Sequence, residues 1–280
     1  MKNSILLSAA ILAGTAFISC NSRDNGDDKS VNTVRQTESL RFGAIRFQKS
    51  NELKGSAGDY FRDTDITYTD SISLIMPEEL PGQNLSALRD SIIRMAFDTT
   101  GTDIDKIISG FISKDAGQFS YPIHEVAPVD ISQADGFAYV SGSVVNYNPA
   151  LLVYEVAISS YNPGAAHGIT TRNYLNYDLD SGRILDDKFM FDPAKRSDLT
   201  AIIARRAEEM TDVLGPTQID DLPENNNFYI NPEGEIVFVY QPYEVASYAQ
   251  GLISISFYPA ELSECLTAAA MKYFNLDDLN

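Results

Sequence analysis

Residues 138–179 read AYVSGSVVNYNPALLVYEVAISSYNPGAAHGITTRNYLNYDL, and this stretch decides the fold. It divides into AYVSGSVVNY, LLVYEVAISSY and TTRNYLNYDL, three runs rich in β-branched and aromatic residues, separated by Asn148-Pro149 and by Asn162-Pro163-Gly164. In the middle run Leu152, Tyr154, Val156 and Ile158 fall on one face at a period of two, the pattern of a strand. Turns this short reverse the chain, so the three runs predict a meander of antiparallel strands.

Downstream, Asp180-Ser181-Gly182 is a turn, and SDLTAIIARRAEEMTDVLG then carries Leu199, Ile202, Ile203 and Met210 on one helical stripe that stops at Gly215-Pro216. The strand theme returns in NFYI, a turn at Asn231-Pro232-Glu233-Gly234, EIVFVY and LISISFY. Pro259 opens a last helix, PAELSECLTAAAMKYF. There Cys265 lies beside Leu262, Leu266 and Ala269 at helical spacing, which reads as a small buried hydrophobe and not a nucleophile.

Upstream, Ile72, Leu74 and Met76 alternate with Ser71 and Ser73 as in a half-buried strand. LSALRDSIIRMAF aligns Leu85, Leu88, Ile92 and Met95 or Ala96 as an amphipathic helix, and DIDKIISGFI is a second short helix capped by Asp103. The fold class is therefore α+β: antiparallel sheets with helices packed on one face, in two small intertwined subdomains, 40–135 and 136–280.

The first residues follow another logic. Met1 to Ser4 carry one positive charge, Ile5 to Ile18 are largely apolar, and Ser19-Cys20 closes the run, as in an export signal over 1–19. The cysteine placed there resembles the lipobox of bacterial lipoproteins, with Phe17 and Ile18 departing from its usual residues. The resemblance implies lipid on Cys20, a membrane anchor, and a site of action outside the cytoplasm, at the outer membrane or the cell surface. An ordinary secretory signal is the alternative. Residues 20–39 hold almost no large apolar side chains and read as a flexible tether, in which Asp24, Asp27 and Asp28 resemble acid-rich surface-export signals.

The chain has 280 residues, 21 basic against 39 acidic side chains and a formal charge of −18. Removing 1–19 takes away only Lys2, so the acidic surplus persists. Nucleic acid and anionic membrane surfaces are disfavoured as partners, and basic proteins are favoured. With Cys20 gone to lipid, only Cys265 is left as a thiol, which excludes an internal disulfide and a cysteine metal cluster. Fifteen Tyr, fourteen Phe and no Trp fit a strand-rich core.

Two segments form a recognisable set. One is Gly164-Ala165-Ala166-His167-Gly168 followed by Asn173 to Gly182; the other is Phe228 to Gly234 followed by Tyr240-Gln241-Pro242-Tyr243-Glu244-Val245-Ala246-Ser247-Tyr248-Ala249-Gln250-Gly251. Together they resemble the extracytoplasmic domain of unknown function found in the anti-sigma factor RsiV and ahead of the catalytic domain of the peptidoglycan deacetylase PdaC. The resemblance covers Val153 to the end, and weakly Ile66 to Ala116. Ala165 and Ser247 depart from the family pattern, where Gly and Pro are frequent. Nothing resembles the deacetylase's metal-binding motifs. The resemblance implies a binding module of the cell envelope, with lysozyme or a similar basic protein as partner, because the anti-sigma member senses lysozyme.

The candidate ligand-binding residues are Tyr240, Tyr243, Glu244 and Tyr248, with His167. Tyrosine joins apolar area to a polar tip, so such a loop serves a protein interface or stacks on the sugars of peptidoglycan or another glycan. Its other reading is a folded-in loop closing a sheet edge. His167 as a general base would need an orienting carboxylate and a nucleophile, and the spacing of Asp178, Asp180 and Glu244 fits no such arrangement. A neutral imidazole tying a turn to nearby backbone is the simpler account. An envelope hydrolase or deacetylase with an unrecognised site is the alternative from another class. His124 and His167 lie too far apart for a zinc motif, and no cofactor or metal is expected. Gly168 and Gly251, which close the two segments, are expected to serve backbone conformation.

Overall fold

The computed structural model describes residues 40–52, 67–116, 135–162, 165–210 and 222–276. The expected signal peptide, Cys20, the tether to residue 39, His124, Pro163-Gly164 and the Gly215-Pro216 stop lie outside them. The architecture is α+β: a six-stranded sheet, a three-stranded antiparallel sheet and several helices. Among the described residues no helix is long and apolar enough to cross a membrane.

The larger sheet runs in sequence order through β1 (Arg41–Glu52), β2 (Thr67–Glu79), β3 (Gly136–Tyr147), β4 (Leu151–Tyr161), β5 (Ile169–Asp178) and the two-residue β6 (Arg183–Ile184). The meander read from residues 138–179 is present: β3 pairs antiparallel with β4, and β4 with β5. The parallel pairing of β2 with β3 is an addition to it. That geometry needs a crossover, supplied by α1 (Ser86–Phe97) and α2 (Ile104–Ala116). The Asp103 carboxylate accepts from the Lys106 backbone N–H, so the α2 cap is where the sequence placed it.

β4 separates two cores. On one face Leu152, Tyr154 and Val156 meet Ile72, Leu74 and Val140 from β2 and β3 and Leu88, Ile92 and Ala96 from α1. On the other face Leu151 and Val153 join Phe228, Ile230 and Phe238. Those last residues belong to the smaller sheet, in which β7 (Phe228–Ile230), β8 (Ile236–Tyr240) and β9 (Ile253–Phe257) pair antiparallel. α3 (Asp187–Met190) and α4 (Arg196–Glu209) close this second core, with Met190, Leu199, Ile203 and Ala207 buried in it.

The last helix departs from its expected form. Pro259–Cys265 is a 3-10 segment, Leu266 is extended (ψ 149°) and bridges to Phe191, and Thr267 caps a separate helix, α5 (Ala268–Tyr273), by accepting from Ala270 N at 3.0 Å. The break takes Ala269 to the surface and puts Ala270 in the core instead. Cys265 is 1% exposed between Leu262 and Leu266, and burial pushes its thiol pKa up.

Candidate functional site

The outer edge of β5 is paired to β6 only at Tyr177 and Asp178. Upstream, side-chain amides complete its hydrogen bonds. Gln241 Oε1 accepts from Arg172 N at 2.9 Å and Gln241 Nε2 donates to Arg172 O at 2.7 Å. Asn227 Oδ1 accepts from Tyr174 N at 3.1 Å, and Asn227 Nδ2 donates to Arg172 O at 2.8 Å. The buried Asn176 reaches the other way, accepting from Ile230 N at 2.8 Å and donating to Phe228 O at 3.0 Å, while Asn146 Nδ2 donates to Ile230 O at 3.1 Å. Buried polar backbone needs partners, and these four amides weld the smaller sheet to the larger. Sequence reasoning missed all four, since an amide in a strand, or in the loop beside one, reads as solvated surface.

This anchoring fixes where the loop after β8 emerges. The chain leaves Tyr240, turns at Gln241, whose backbone N–H donates to Glu244 Oε2, and reaches Tyr243 at φ 72°. Positive φ is rare for a bulky side chain, and holding it costs about 1–3 kcal/mol. Tyr243 is 57% exposed, so burial of the ring does not offset that strain. Instead its hydroxyl lies 2.8 Å from His167 Nε2. His167 Nδ1 is 3.0 Å from Gly168 O; donation there leaves Nε2 as the acceptor of the tyrosine proton. The imidazole also stacks on Tyr248, with centroids 3.7 Å apart and planes at 15°, and the Tyr243 and Tyr248 rings lie 5.6 Å apart at 29°.

Three of the candidate residues, His167, Tyr243 and Tyr248, thus form one exposed aromatic cluster although they come from segments 76 residues apart. Glu244 sits in the same loop and serves its turn through Gln241 N. Tyr240 has to be separated from them. It is 1% exposed, continues the inward row of Ile236 and Phe238, and belongs to the second core; burial raises its pKa. A side chain enclosed in that way contacts no ligand at the loop surface.

Beside the cluster lies a polar network. Arg172 donates to Glu155 Oε1 at 2.6 Å, and the Tyr174 hydroxyl donates to Glu155 Oε2 at 2.8 Å. Tyr174 stacks on Tyr229 at 4.5 Å. The hydrogen bond to Glu155 holds the Arg172 pKa above its ordinary value, and burial followed by Glu155 raises that of Tyr174. Both carboxylate oxygens are occupied, so the group is committed to structure. Among the described residues no three His, Cys, Asp or Glu side chains are grouped to hold a metal ion.

The two glycines that close the quoted segments have different geometries. A Cβ on Gly168 would lie 2.8 Å from Ser160 O, an approach that real Cβ atoms do not make. Gly251 has open space around it but φ 68° and ψ −142°, a region essentially confined to glycine.

Residues 188–257 match a family described as a protein of unknown function, DUF3298. The matched stretch contains the second of the two segments quoted above, with Tyr243, Tyr248 and Gly251, and ends before the last helix. Solved structures of that family share the fold. A member from Bacteroides fragilis NCTC 9343 is 18% identical, covering 87% of this chain and 99% of its own, with a TM-score of 0.63. A family protein from Pseudomonas aeruginosa PAO1 is 15% identical, covering 84% of this chain and 97% of its own, with a TM-score of 0.53. No curated protein matches the chain.

Proposed function

We propose that this chain is a non-catalytic binding module of the cell envelope, held to a bacterial membrane by lipid on Cys20, and that the His167–Tyr243–Tyr248 cluster recognises a basic protein of the lysozyme kind. The observation that carries the reading is Tyr243: a large ring kept exposed at a strained φ of 72° by a hydrogen bond to His167. Strain that the core does not require points to use of the side chain at the surface. Tyrosine is favoured at the centres of protein interfaces, and a formal charge of −18 steers basic partners towards the molecule.

The test mixes the purified protein with lysozyme at about 0.15 M salt, where the Debye length is about 8 Å. A complex that persists there supports the reading, and one seen only at low salt reduces it to charge attraction. Tyr243→Gly removes the ring and relieves the positive φ, so the melting temperature holds while binding weakens about tenfold or more. Unchanged binding in that variant overturns the site. For the anchor, labelled palmitate enters the parent and not Cys20→Ala.

A further inference from the structure

The smaller sheet covers only one end of the outer face of the larger sheet, the end holding Leu151, Val153, Asn146 and Asn176. Register assigns what remains. Phe137 pairs with Thr69 and Tyr161, Tyr139 with Ser71 and Ser159, and Ser141 with Ser73 and the buried Ala157, so these side chains share one face, most open at Tyr139, Ser141 and Ser73. Thr170, opposite Ser159 on β5, extends it, and their hydroxyls are 2.9 Å apart.

This surface has two unusual properties. The first is its charge: in a chain with 39 acidic side chains, the outer-face positions just named on β2, β3 and β4 carry none. The charges that flank them are Arg46, opposite Ser73; Asp135, two positions before Phe137, whose carboxylate accepts from Thr67 N; and the ion pair of Arg172 with Glu155. The second is an aromatic step in a field of hydroxyls. Phe137 stacks on Tyr139 with centroids 4.4 Å apart and planes at 19°, and the Tyr161 ring lies 6.2 Å from Phe137. Phe137 backs one face of the Tyr139 ring, which leaves the other face open on the side of Ser141; Tyr139 is 42% exposed, and Ser141, Ser143 and Ser73 beyond it are exposed as well.

The geometry points to a binding surface for an uncharged glycan chain, an extended run of gluco-configured pyranoses lying across β2, β3 and β4 with one ring stacked on Tyr139. Such a sugar offers a flat C–H face to an aromatic ring and hydroxyls around its rim. The surface answers with the Tyr139 ring and with serine and threonine hydroxyls that both donate and accept. A protein partner fits poorly, because serine is depleted at protein interfaces and an aliphatic centre is missing. A charged partner gains nothing from an uncharged strip. The surface is separate from the Tyr243 loop and does not depend on the function proposed for it.

The experiment titrates the full chain with cellohexaose, chitohexaose and the acidic hexagalacturonate by calorimetry. A neutral hexasaccharide binds, and its affinity is the same at about 0.15 M and about 1 M salt, because no ion pairs are involved. Tyr139→Ser weakens that binding about tenfold or more while melting like the parent, and Ser73→Arg, which fills the shelf without touching the aromatic stack, does the same. Tyr243→Gly leaves it unchanged. Binding of neither neutral hexasaccharide, preference for the acidic one, or full affinity in Tyr139→Ser overturns the proposal. Loss in Tyr243→Gly alone moves the glycan to the loop and overturns it equally.

Discussion

The side-chain amide of Gln241 pairs with both backbone groups of Arg172, Oε1 receiving the N–H at 2.9 Å and Nε2 giving to the carbonyl at 2.7 Å. One side chain thereby takes the place of a neighbouring strand along an edge that would otherwise be open to pairing with another chain. Because Gln241 is also the first residue of the aromatic loop, the bond sets where Tyr243 leaves the fold. It joins sheet architecture to the proposed recognition surface.

Replacing Gln241 by Leu keeps its approximate volume and removes both bonds. The Arg172 N–H is then orphaned in a half-buried place, while its carbonyl keeps Asn227. The expected loss is about 1–3 kcal/mol, the desolvation cost of one unsatisfied group. Urea unfolding measures it, and an unchanged midpoint would show that water replaces the amide freely.

Asn176→Leu is expected to be more damaging. Asn176 is 2% exposed and serves Phe228 O and Ile230 N together, so its loss orphans two buried backbone groups, each at about 1–3 kcal/mol. The double substitution with Gln241→Leu should lose more than either alone, since the two amides hold different strands. A loss for Asn176→Leu no larger than for Gln241→Leu would mean that the sheets are held by their apolar contacts.

Much of the frame was legible because burial writes a period into sequence. Ile72, Leu74 and Met76 on β2 and Leu88, Ile92 and Ala96 on α1 needed only alternation and helical spacing. Ile45 and Phe47, alternating with Arg46 and Gln48, carry the same signal for β1. Tyr240 could also have been placed, as it continues the inward row of Ile236 and Phe238. The parallel pairing of β2 with β3 was not legible, because strand direction leaves the side-chain period unchanged. Nor was the amide welding, in which Gln241 and Arg172 meet across 69 residues of sequence. Of the candidate site, His167, Tyr243 and Tyr248 were legible as candidates in the quoted segments, but neither their meeting across 76 residues nor the strained backbone was.

A pH prediction attaches to Glu261. The Tyr258 backbone N–H first, and Arg206 after it, hold its carboxyl below the ordinary value of 4.5. A carboxylate depressed by folding contributes stability that is fully present above its unfolded pKa and lost as pH falls through the lower folded value. Glu261→Gln should therefore be less stable than the parent at neutral pH, with the gap closing below about pH 4. Arg206 still lies 4.6 Å over the Phe257 ring and donates to Ser256 O, so part of the clamp between α4 and β9 survives. A gap that stays constant down to about pH 3 would show that charge has no part in it.

The two glycines answer two kinds of constraint, and a pair of substitutions tests each of them. At Gly251 the difficulty is backbone conformation alone, since a Cβ there would meet nothing within 4 Å while φ is 68°. Asparagine tolerates positive φ in the left-handed helical region, and ψ −142° lies outside it, so Gly251→Asn and Gly251→Val should both lose about 1–3 kcal/mol. At Gly168 the difficulty is contact: any Cβ meets Ser160 O at 2.8 Å, the same atom whatever the rest of the side chain. Gly168→Ala and Gly168→Asn should then lose stability alike, because β5 must shift away from β4 to admit either. Gly168 adjoins His167, so that shift also carries the imidazole away from Tyr243 and should weaken partner binding in the fraction that stays folded. Thermal melts of the four variants, read beside the lysozyme titration, decide the matter. A Gly168→Ala protein that melts like the parent and binds as well would mean that the strand relaxes without cost, and that this glycine is neither a packing requirement nor a support for the cluster.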